Sequence, residues 1–428
     1  MLQRFKFGSI SGDQSPKKAT SGCHEKTFAT GYSFPNRRYF LTVSLVNMLL
    51  FMGTSLPTPL YQLYTVEFNM TPMMVTIIFA ACPIAIVPSL FVFGPFGDKY
   101  GSERLLKMAV VLGIISATLL AISDSWFWLV LGRIGQGIAV GAASGNATAA
   151  MVEFEPSGNK RRASQMASIS LLLGLIIGPL LSASVVEWLP SPTQLVFMIY
   201  AGLLITVLGV LFTMKNIKFS TGDSDGFPKY LIPNENRLCF LSMSFSVGLV
   251  FTLSGFYFSL MPTYANALLR SSIGLGSVFV SIMVLASLLV QFLIKNLHPK
   301  KLVLIGQFCI AAGLAFVVIA QDQFPILHLF FGAIICGAAY GTTLQGAITI
   351  VNMISTSEQR SSVASIFYAI AYLFLAIPII ILGFALEFSS VFYTIRHFSL
   401  ILSIAAIANM ILLLILNFNC GEKQSALS

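Results

Sequence analysis

Long, uniformly hydrophobic blocks fill most of the chain, and short breaks rich in charge, Pro, Gly or Asn separate them. Each block can supply the about 20 mostly apolar residues of a membrane-spanning helix. The blocks lack the short alternating segments of a membrane β-barrel, so we predict an all-α polytopic membrane protein with twelve transmembrane helices. The first six lie near residues 39–62, 73–93, 104–122, 126–152, 163–187 and 193–214, and the second six near 238–262, 271–294, 300–320, 324–352, 361–386 and 393–418.

Polar segments divide the chain into two six-helix bundles, predicted at residues 39–214 and 238–418. Residues 1–38 are rich in Ser, Gly and Lys, which is typical of a disordered tail. They lack the apolar core and cleavage site of a signal peptide, so we expect the first helix to be retained. Residues 215–237 contain the sequence STGDSDG and are predicted to form a linker, and residues 419–428 are predicted to form a second tail.

Composition and charge agree with a membrane protein. Hydrophobic residues make up 56% of the 428 residues and charged residues only 10%, against about 25% in soluble domains. Of the 25 Lys and Arg, 22 fall on one side of the predicted helices, whereas Arg270 and Arg396 fall on the other and Arg133 lies inside a helix. The positive-inside rule therefore predicts both termini and the linker in the cytoplasm. No clustered basic face is present, so we expect no nucleic-acid partner.

Two stretches show an internal repeat. LGRIGQGIAVGAASGNA from Leu131 aligns with FGAIICGAAYGTTLQGA from Phe331, so that three glycines of the fourth helix coincide with three of the tenth. One helix later, RASQMASI resembles RSSVASI, and Pro179 falls near the position of Pro378. Because six spans separate the partners, the two halves have the same orientation, which predicts a parallel repeat of six plus six helices.

Three motifs resemble those of the major facilitator superfamily. GPFGDKYGSERL between helices 2 and 3 resembles its loop signature, with Ser102 and Glu103 where the family has two basic residues. RIGQG in helix 4 resembles its Arg-x-x-Gln-Gly motif, and GLIIGPLLSA in helix 5 is similar to the motif of its export branches. The residues that match these motifs are Gly94, Asp98, Lys99 and Gly101, then Arg133, Gln136 and Gly137, then Gly174, Gly178 and Pro179.

The resemblance implies a twelve-helix transporter that alternates between two six-helix halves. It implies that Asp98 braces a cytoplasmic gate, with Arg360 as our candidate partner, although ordinary surface charge is the alternative for an exposed pair. In helix 5, Gly174 and Gly178 lie four residues apart on one face. Close helix packing and a direct part in export are both open interpretations of this motif.

Arg133 is the strongest candidate for a functional residue, because it is a permanent charge inside a predicted transmembrane helix. It lies roughly 10 Å from the outer end of helix 4, where a permanent charge needs a carboxylate, backbone carbonyls, water or a ligand. Its repeat counterpart, Ala333, is uncharged, so the shared scaffold does not require it. We expect it to act with Gln136 in substrate or proton coupling, and structural pairing or extension of its side chain to the surface is the alternative.

All Asp and Glu residues lie near helix ends or in loops, so a central cavity with one cation favours neutral or anionic solutes. Arg133 either holds the negative charge of a substrate or tunes a proton on Glu187 at the outer end of helix 5. We further expect polar and aromatic cavity contacts, with helix-to-helix hydrogen bonding as the alternative for each. These candidates are Asn47, Asn146, Tyr257, Tyr340, Gln345 and Tyr372.

The sequence therefore predicts a secondary transporter of the cytoplasmic membrane that exports a small organic metabolite, siderophore-like or drug-like molecule, coupled to protons and functional as a monomer. The alternatives are an uptake symporter or facilitator for a sugar or organic acid, and a membrane sensor or receptor without net transport. No GxxxxGK loop is present, so ATP is not expected as the direct energy source. We expect no enzymatic activity, no cofactor and no metal, because the Cys and His residues are scattered singly.

Overall fold

The structure is a computed structural model, and it describes residues 35–213, 236–270, 273–294, 297–322, 324–355 and 360–415. Within these ranges the chain forms fourteen α-helices and no β-strand. The first seven are α1 (Pro35–Ser55), α2 (Leu60–Glu67), α3 (Pro72–Tyr100), α4 (Ser102–Ala121), α5 (Trp126–Phe154), α6 (Lys160–Trp188) and α7 (Pro192–Thr213). The others are α8 (Arg237–Ser259), α9 (Met261–Leu269), α10 (Ile273–Leu293), α11 (Pro299–Ile319), α12 (Pro325–Ile354), α13 (Arg360–Phe388) and α14 (Val391–Ile415).

Eleven of these helices are long and apolar enough to cross a membrane, and α1 with α2 makes a twelfth span bent by 42°. The predicted all-α fold of twelve spans is thereby confirmed. Most of the predicted first tail and linker, and the whole second tail, lie outside the described residues, at 1–34, 214–235 and 416–428, whereas residues 35–38 of the predicted tail already belong to α1.

Proline breaks the first span, where the sequence predicted one continuous helix at 39–62. That prediction is wrong at residues 56–59, because Pro57 and Pro59 have no backbone N–H to continue the helical hydrogen bonds. The seventh span breaks in the same way at Leu260, just before Pro262, and its outer part α9 continues to Leu269. The two breaks occupy equivalent positions in the two halves.

The helix contacts repeat after six spans. In the first half α5 packs on α3 and α4, α1 packs on α6, and α4 packs on α7. In the second half α12 packs on α10 and α11, α8 packs on α13, and α11 packs on α14. These are the same pairs shifted by six spans, which is the parallel repeat that the sequence predicted.

Glycines shared by the repeat allow the closest of these contacts. A Cβ added at Gly137 of α5 would collide with the carbonyl oxygen of Cys82 on α3. A Cβ at the repeat partner Gly337 of α12 would collide with the carbonyl oxygen of Met283 on α10. Only a residue without a side chain lets the two backbones approach this closely.

The two halves meet mainly along α3 with α13 and along α6 with α10. Arg104, Lys107, Arg161 and Lys300 lie at one end of the molecule, which we call the basic end. Glu67, Asp124 and Glu187 lie at the opposite end. The candidate site lies between the halves and between these ends.

Candidate functional site

A cavity of about 310 Å³ lies between the two halves, and we call it the central cavity. Its wall is built by α1, α3, α5 and α6 from one half and by α8, α10, α12 and α13 from the other. Ligand sites in proteins occupy about 300–1,000 Å³, so this volume suits a small molecule. Because both halves contribute to its wall, relative movement of the halves changes its shape and access.

Arg133 lines this cavity, although only 2% of its surface is exposed. Its Nη1 donates to the Thr54 carbonyl oxygen at 3.0 Å and to Gln136 Oε1 at 2.6 Å, and its Nε donates to the Ile78 carbonyl oxygen at 3.4 Å. Within the described ranges, no carboxylate lies within 4.0 Å of the guanidinium. Its charge is therefore stabilised by carbonyl dipoles, and Nη2 makes no hydrogen bond to the described chain.

The break in the first span explains why two backbone carbonyl groups of α1 are free to accept hydrogen bonds from Arg133 and Gln136. Pro57 cannot donate to the Gly53 carbonyl oxygen, which accepts instead from Gln136 Nε2 at 3.1 Å. The Thr58 amide donates to Ser55, so the Thr54 carbonyl oxygen is left for Arg133. The Arg-x-x-Gln pair thus binds the carboxyl end of α1, where the helix dipole favours a cation.

The second half faces Arg133 with aromatic side chains. Phe251 of α8 lies 5.7 Å from the rings of both Tyr340 and Tyr372, at interplanar angles of 30° and 90°. Tyr368 completes this wall one helical turn before Tyr372. The central cavity therefore has an aromatic wall on one side and a single cation on the other.

A second cavity of about 450 Å³, which we call the vestibule, leads from the central cavity toward the basic end. The two cavities share Ser168, Gln291 and Gln345 in their walls. Arg161, at the second position of α6, lines the outer part of the vestibule. The central cavity is thus accessible from the basic end.

Contacts between the halves close the opposite end. Asn266 Nδ2 of α9 donates to Gln62 Oε1 of α2 at 2.8 Å. The Gly274 backbone N of α10 donates to Glu187 Oε1 of α6 at 3.0 Å. Deeper in the same seam, Ser281 Oγ donates to the Ile176 carbonyl oxygen at 3.2 Å. Because each bond joins one half to the other, this end must separate before the cavity can open there.

The family model of the Major Facilitator Superfamily matches residues 43–269, which is more than half of the chain. The chain belongs to the Major Facilitator Superfamily. A nucleoside transporter, NupG, has the same fold, with a TM-score of 0.72 at 15% identity over 88% of this chain and 99% of that protein. Membership of the family confirms the expected class, a multi-pass membrane transporter rather than an enzyme, and the neighbour shows the fold.

Sequence relatives in the superfamily are distant. YebQ, an uncharacterized transporter of Escherichia coli, is 24% identical over 79% of this chain and 87% of its own length. A D-xylose transporter of Levilactobacillus brevis is 28% identical over 20% of this chain, and the quinolone resistance protein NorA of Staphylococcus aureus is 24% identical over 31%. The chain spans only 19% and 34% of the lengths of these last two relatives.

The structure brings together some of the predicted site residues of this superfamily member. Arg133, Tyr340, Gln345 and Tyr372 line the central cavity, and Gln136 lies behind Arg133. Glu187 does not pair with Arg133, because its carboxylate binds the Gly274 backbone at the closed end. The predicted direct link between these two charges is therefore not formed in this conformation.

Three other candidates lie between helices instead of in the cavity wall. Asn47 Nδ2 donates to Ser170 Oγ at 2.9 Å and joins α1 to α6. Asn146 Nδ2 donates to the Ala142 carbonyl oxygen at 2.7 Å within its own helix and to the Phe93 carbonyl oxygen of α3 at 3.4 Å. Tyr257 is fully buried beside Phe256. The contacts of Asn47 and Asn146 correspond to the alternative of helix-to-helix hydrogen bonding, whereas Tyr257 packs in the core.

The GLIIGPLLSA motif of the fifth span lies in α6, and it packs tightly on the broken first span. A Cβ at Gly174 would collide with the Met48 carbonyl oxygen, and a Cβ at Gly178 would collide with Ser55 Oγ. Pro179, within α6, is buried next to this contact. Close packing is thus the role that these glycines perform in the structure, and a direct part in export stays a prediction.

The loop motif GPFGDKYGSERL, at the end of α3 and the start of α4, is only partly described. Gly101 has a φ of +87° just before α4, a conformation that favours glycine, and Gly94 is exposed in α3. The side chains of Asp98, Lys99 and Arg360 lie outside the described residues, so their pairing stays a prediction. In the part of the chain that the structure describes, no cluster of His, Cys, Asp and Glu could hold a metal ion.

Sequence reasoning missed several residues of the site. Tyr368 could have been found, because it lies four residues before Tyr372 and shares its helix face. Phe251 and Phe79 resembled ordinary core residues, and Arg161 counted only as a topology signal. Gln291 carried no signal in the sequence, since only tertiary packing brings it to the junction of both cavities.

Proposed function

We propose that this protein is a secondary active transporter that exports a small organic solute from the cytoplasm by alternating access, driven by protons. One observation carries the proposal. The central cavity lies between two repeat-related halves, is accessible from the basic end and is closed by hydrogen bonds at the other. A rocking movement that breaks those bonds and closes the basic end would expose the same cavity to the opposite side.

The excess of Lys and Arg at the basic end supports a cytoplasmic location for this end and for both termini. On this orientation the cavity faces the cytoplasm, where an export substrate is loaded. The similarity to a quinolone resistance protein supports export, although the match covers only 31% of this chain. The whole cavity wall comes from one chain, so we propose that the monomer is functional.

The charge of the central cavity wall supports the proposal that the exported solute is neutral or anionic. Arg133 is the one charged residue among the described residues that line the central cavity. A lipophilic cation would meet its positive charge without a compensating carboxylate, whereas an anion would be attracted to it. The export substrate is therefore an organic molecule that is neutral or carries negative charge.

Glu187 is our candidate for the proton site. Its carboxylate accepts a hydrogen bond from the Gly274 backbone N at the amino end of α10, where a helix favours negative charge. Binding of a proton would weaken this interaction between the halves. A proton that arrives from outside would thus favour opening of the closed end, and coupling would act through the gate and not through a direct contact with Arg133.

Metabolite profiling of cells and medium, with and without the gene, tests the direction. Export predicts depletion of the substrate from the cells and its appearance in the medium, whereas an uptake symporter or facilitator predicts the reverse. Flux of that substrate is then measured in proteoliposomes with an imposed pH gradient. Absence of net flux would instead support a membrane sensor or receptor, and flux that ignores the gradient would remove proton coupling.

A further inference from the structure

The charged groups along the substrate path are all cationic. Arg133 lines the central cavity and Arg161 lines the vestibule, and among the described residues no Asp or Glu lines either space. Arg162, next to Arg161, instead lies 3.4 Å from Glu155. A molecule that moves from the basic end to the centre therefore meets a positive charge at each end of the path and no negative charge between them.

Seven aromatic rings line the central cavity. Five of them come from α8, α12 and α13, and the rings of Tyr340 and Tyr372 pack against Phe251. Aromatic rings bind other planar rings in offset or edge-to-face arrangements, which adds about 0.5–1.5 kcal/mol per pair beyond the burial of area. The seven rings belong to Phe51, Phe79, Phe251, Phe258, Tyr340, Tyr368 and Tyr372.

Several polar groups of this wall have no partner in the described chain. Arg133 uses Nη1 and Nε in hydrogen bonds but leaves Nη2 without one. Gln345 Oε1 is buried without a hydrogen bond. The hydroxyls of Tyr340, Tyr368 and Tyr372 make no hydrogen bond to the described chain either, although all three residues line the cavity. Gln345 Oε1 is buried and would normally be satisfied, and the other groups belong to residues of the cavity wall, so a ligand with polar substituents has several partners here.

We propose that the central cavity binds a planar aromatic organic acid. Its carboxylate accepts a charge-assisted hydrogen bond from Arg133 Nη2, and its ring packs against Phe251 and the tyrosines. Hydroxyl or carbonyl substituents on the ring pair with the phenols of the opposite wall. This inference rests on the proposed transport function and names the substrate class of the same cavity.

Arg161 then serves as the first contact of the acid. Its charge at the vestibule raises the local concentration of anions, so it increases the rate at which the acid enters and not the affinity of the central cavity for it. Lys160 is the matched control, because it has the same charge one residue earlier and lines neither cavity. A substitution of Arg161 should thus slow entry more than the same substitution of Lys160.

Four probes test the class with the full chain in lipid nanodiscs. They are 2-naphthoate, its neutral methyl ester, the cation 2-naphthylmethylammonium and the non-aromatic acid cyclohexanecarboxylate. We expect 2-naphthoate to bind at least about 10-fold more tightly than each of the other three. In Arg133→Gln the preference for the acid over the ester should vanish, and in Tyr372→Leu the preference for the aromatic acid should fall, whereas Tyr264→Phe, outside the cavity, should change neither.

Entry is measured as the initial rate of 2-naphthoate binding at low and high salt. Arg161→Gln should lower this rate and its salt dependence, and Lys160→Gln should leave both near the wild-type values.

The wild-type selectivity decides the proposal even if a variant fails to fold. Tighter binding of the ester or of the cation, or binding of none of the four probes, would overturn the aromatic-acid class. Either result leaves the transport proposal to be judged by metabolite profiling, so the two can fail separately. Equal rates for Arg161→Gln and Lys160→Gln would overturn the role of Arg161 alone.

Discussion

Arg133 Nη1 donates a 3.0 Å hydrogen bond to the carbonyl oxygen of Thr54, one residue before α1 ends. The bond joins α5 to the broken first span at a carbonyl oxygen that receives no helical hydrogen bond. Gln136 performs the same task for Gly53. The Arg-x-x-Gln motif therefore binds the carbonyl groups at the break in the first span, and it leaves Nη2 of a residue that lines the cavity without a hydrogen bond to the described chain.

Replacement of Arg133 by Lys or Ala should lower flux by about 100-fold or more while the protein stays in the membrane. The guanidinium binds three acceptors and still leaves Nη2, and a single ammonium group cannot reproduce that planar fork. Flux in proteoliposomes, normalised to the amount of folded protein from size-exclusion chromatography, measures the effect. Full transport by the Ala variant would exclude a role in coupling.

Gly137→Ala should destabilise the protein by about 1–3 kcal/mol, because the new methyl group collides with the Cys82 carbonyl oxygen on α3. Thermal unfolding in detergent, followed by tryptophan fluorescence, measures the loss. The matched control is Gly145→Ala in the same helix, since a Cβ there meets no atom within 4 Å. Equal melting temperatures for the two variants would contradict the close packing of α5 on α3.

Cross-linking of Gln62→Cys to Asn266→Cys with a short bifunctional maleimide should stop transport. The two native side chains form a 2.8 Å hydrogen bond across the closed end, and a covalent bridge would keep the halves together there. Flux before and after treatment is the measurement. Each single-cysteine variant, treated with the same reagent, controls for reaction at native cysteines. Undiminished flux after complete cross-linking would show that this end does not need to open.

Glu155→Gln should lower the melting temperature at neutral pH by roughly 2 °C. Glu155 follows α5, and burial disfavours its charge. Hydrogen bonds from Ser157 and Asn159, together with Arg162, outweigh this effect and lower its pKa below 4.5. A lowered pKa in the folded state adds stability above the unfolded pKa, and this stability is lost as the pH falls through the folded value.

The difference between wild type and Glu155→Gln should accordingly shrink as the pH falls below about 4.5, the ordinary value for a Glu carboxyl. Unfolding curves from pH 7 to pH 3.5 measure it. Glu67→Gln is the control, because Glu67 lies at the end of α2 and no hydrogen bond or ion pair of its side chain is found among the described residues. A difference that grows toward acid pH would contradict the assigned direction.

Single residues show how far the candidate site could be predicted. Arg133 could be found from the sequence, because a permanent charge in an apolar helix must have a partner or a function. Tyr340, Gln345 and Tyr372 followed from the helices expected to line the cavity. Asn47 and Tyr257 satisfied the same criterion but face neighbouring helices, since the pattern of a buried helix does not tell which of its faces meets a cavity.

The sequence by itself determined the twelve spans, the parallel repeat and the side that carries the positive charge. These features depend on the length, order and composition of segments, because the hydrophobic length and flanking charge of each segment decide whether and in which orientation it crosses the membrane. Only the tertiary structure decided that Arg133 binds carbonyl groups at the break in the first span and that Glu187 binds the amino end of α10. Such contacts join residues far apart in the chain, so they depend on how the helices pack and on which carbonyl groups the prolines leave free.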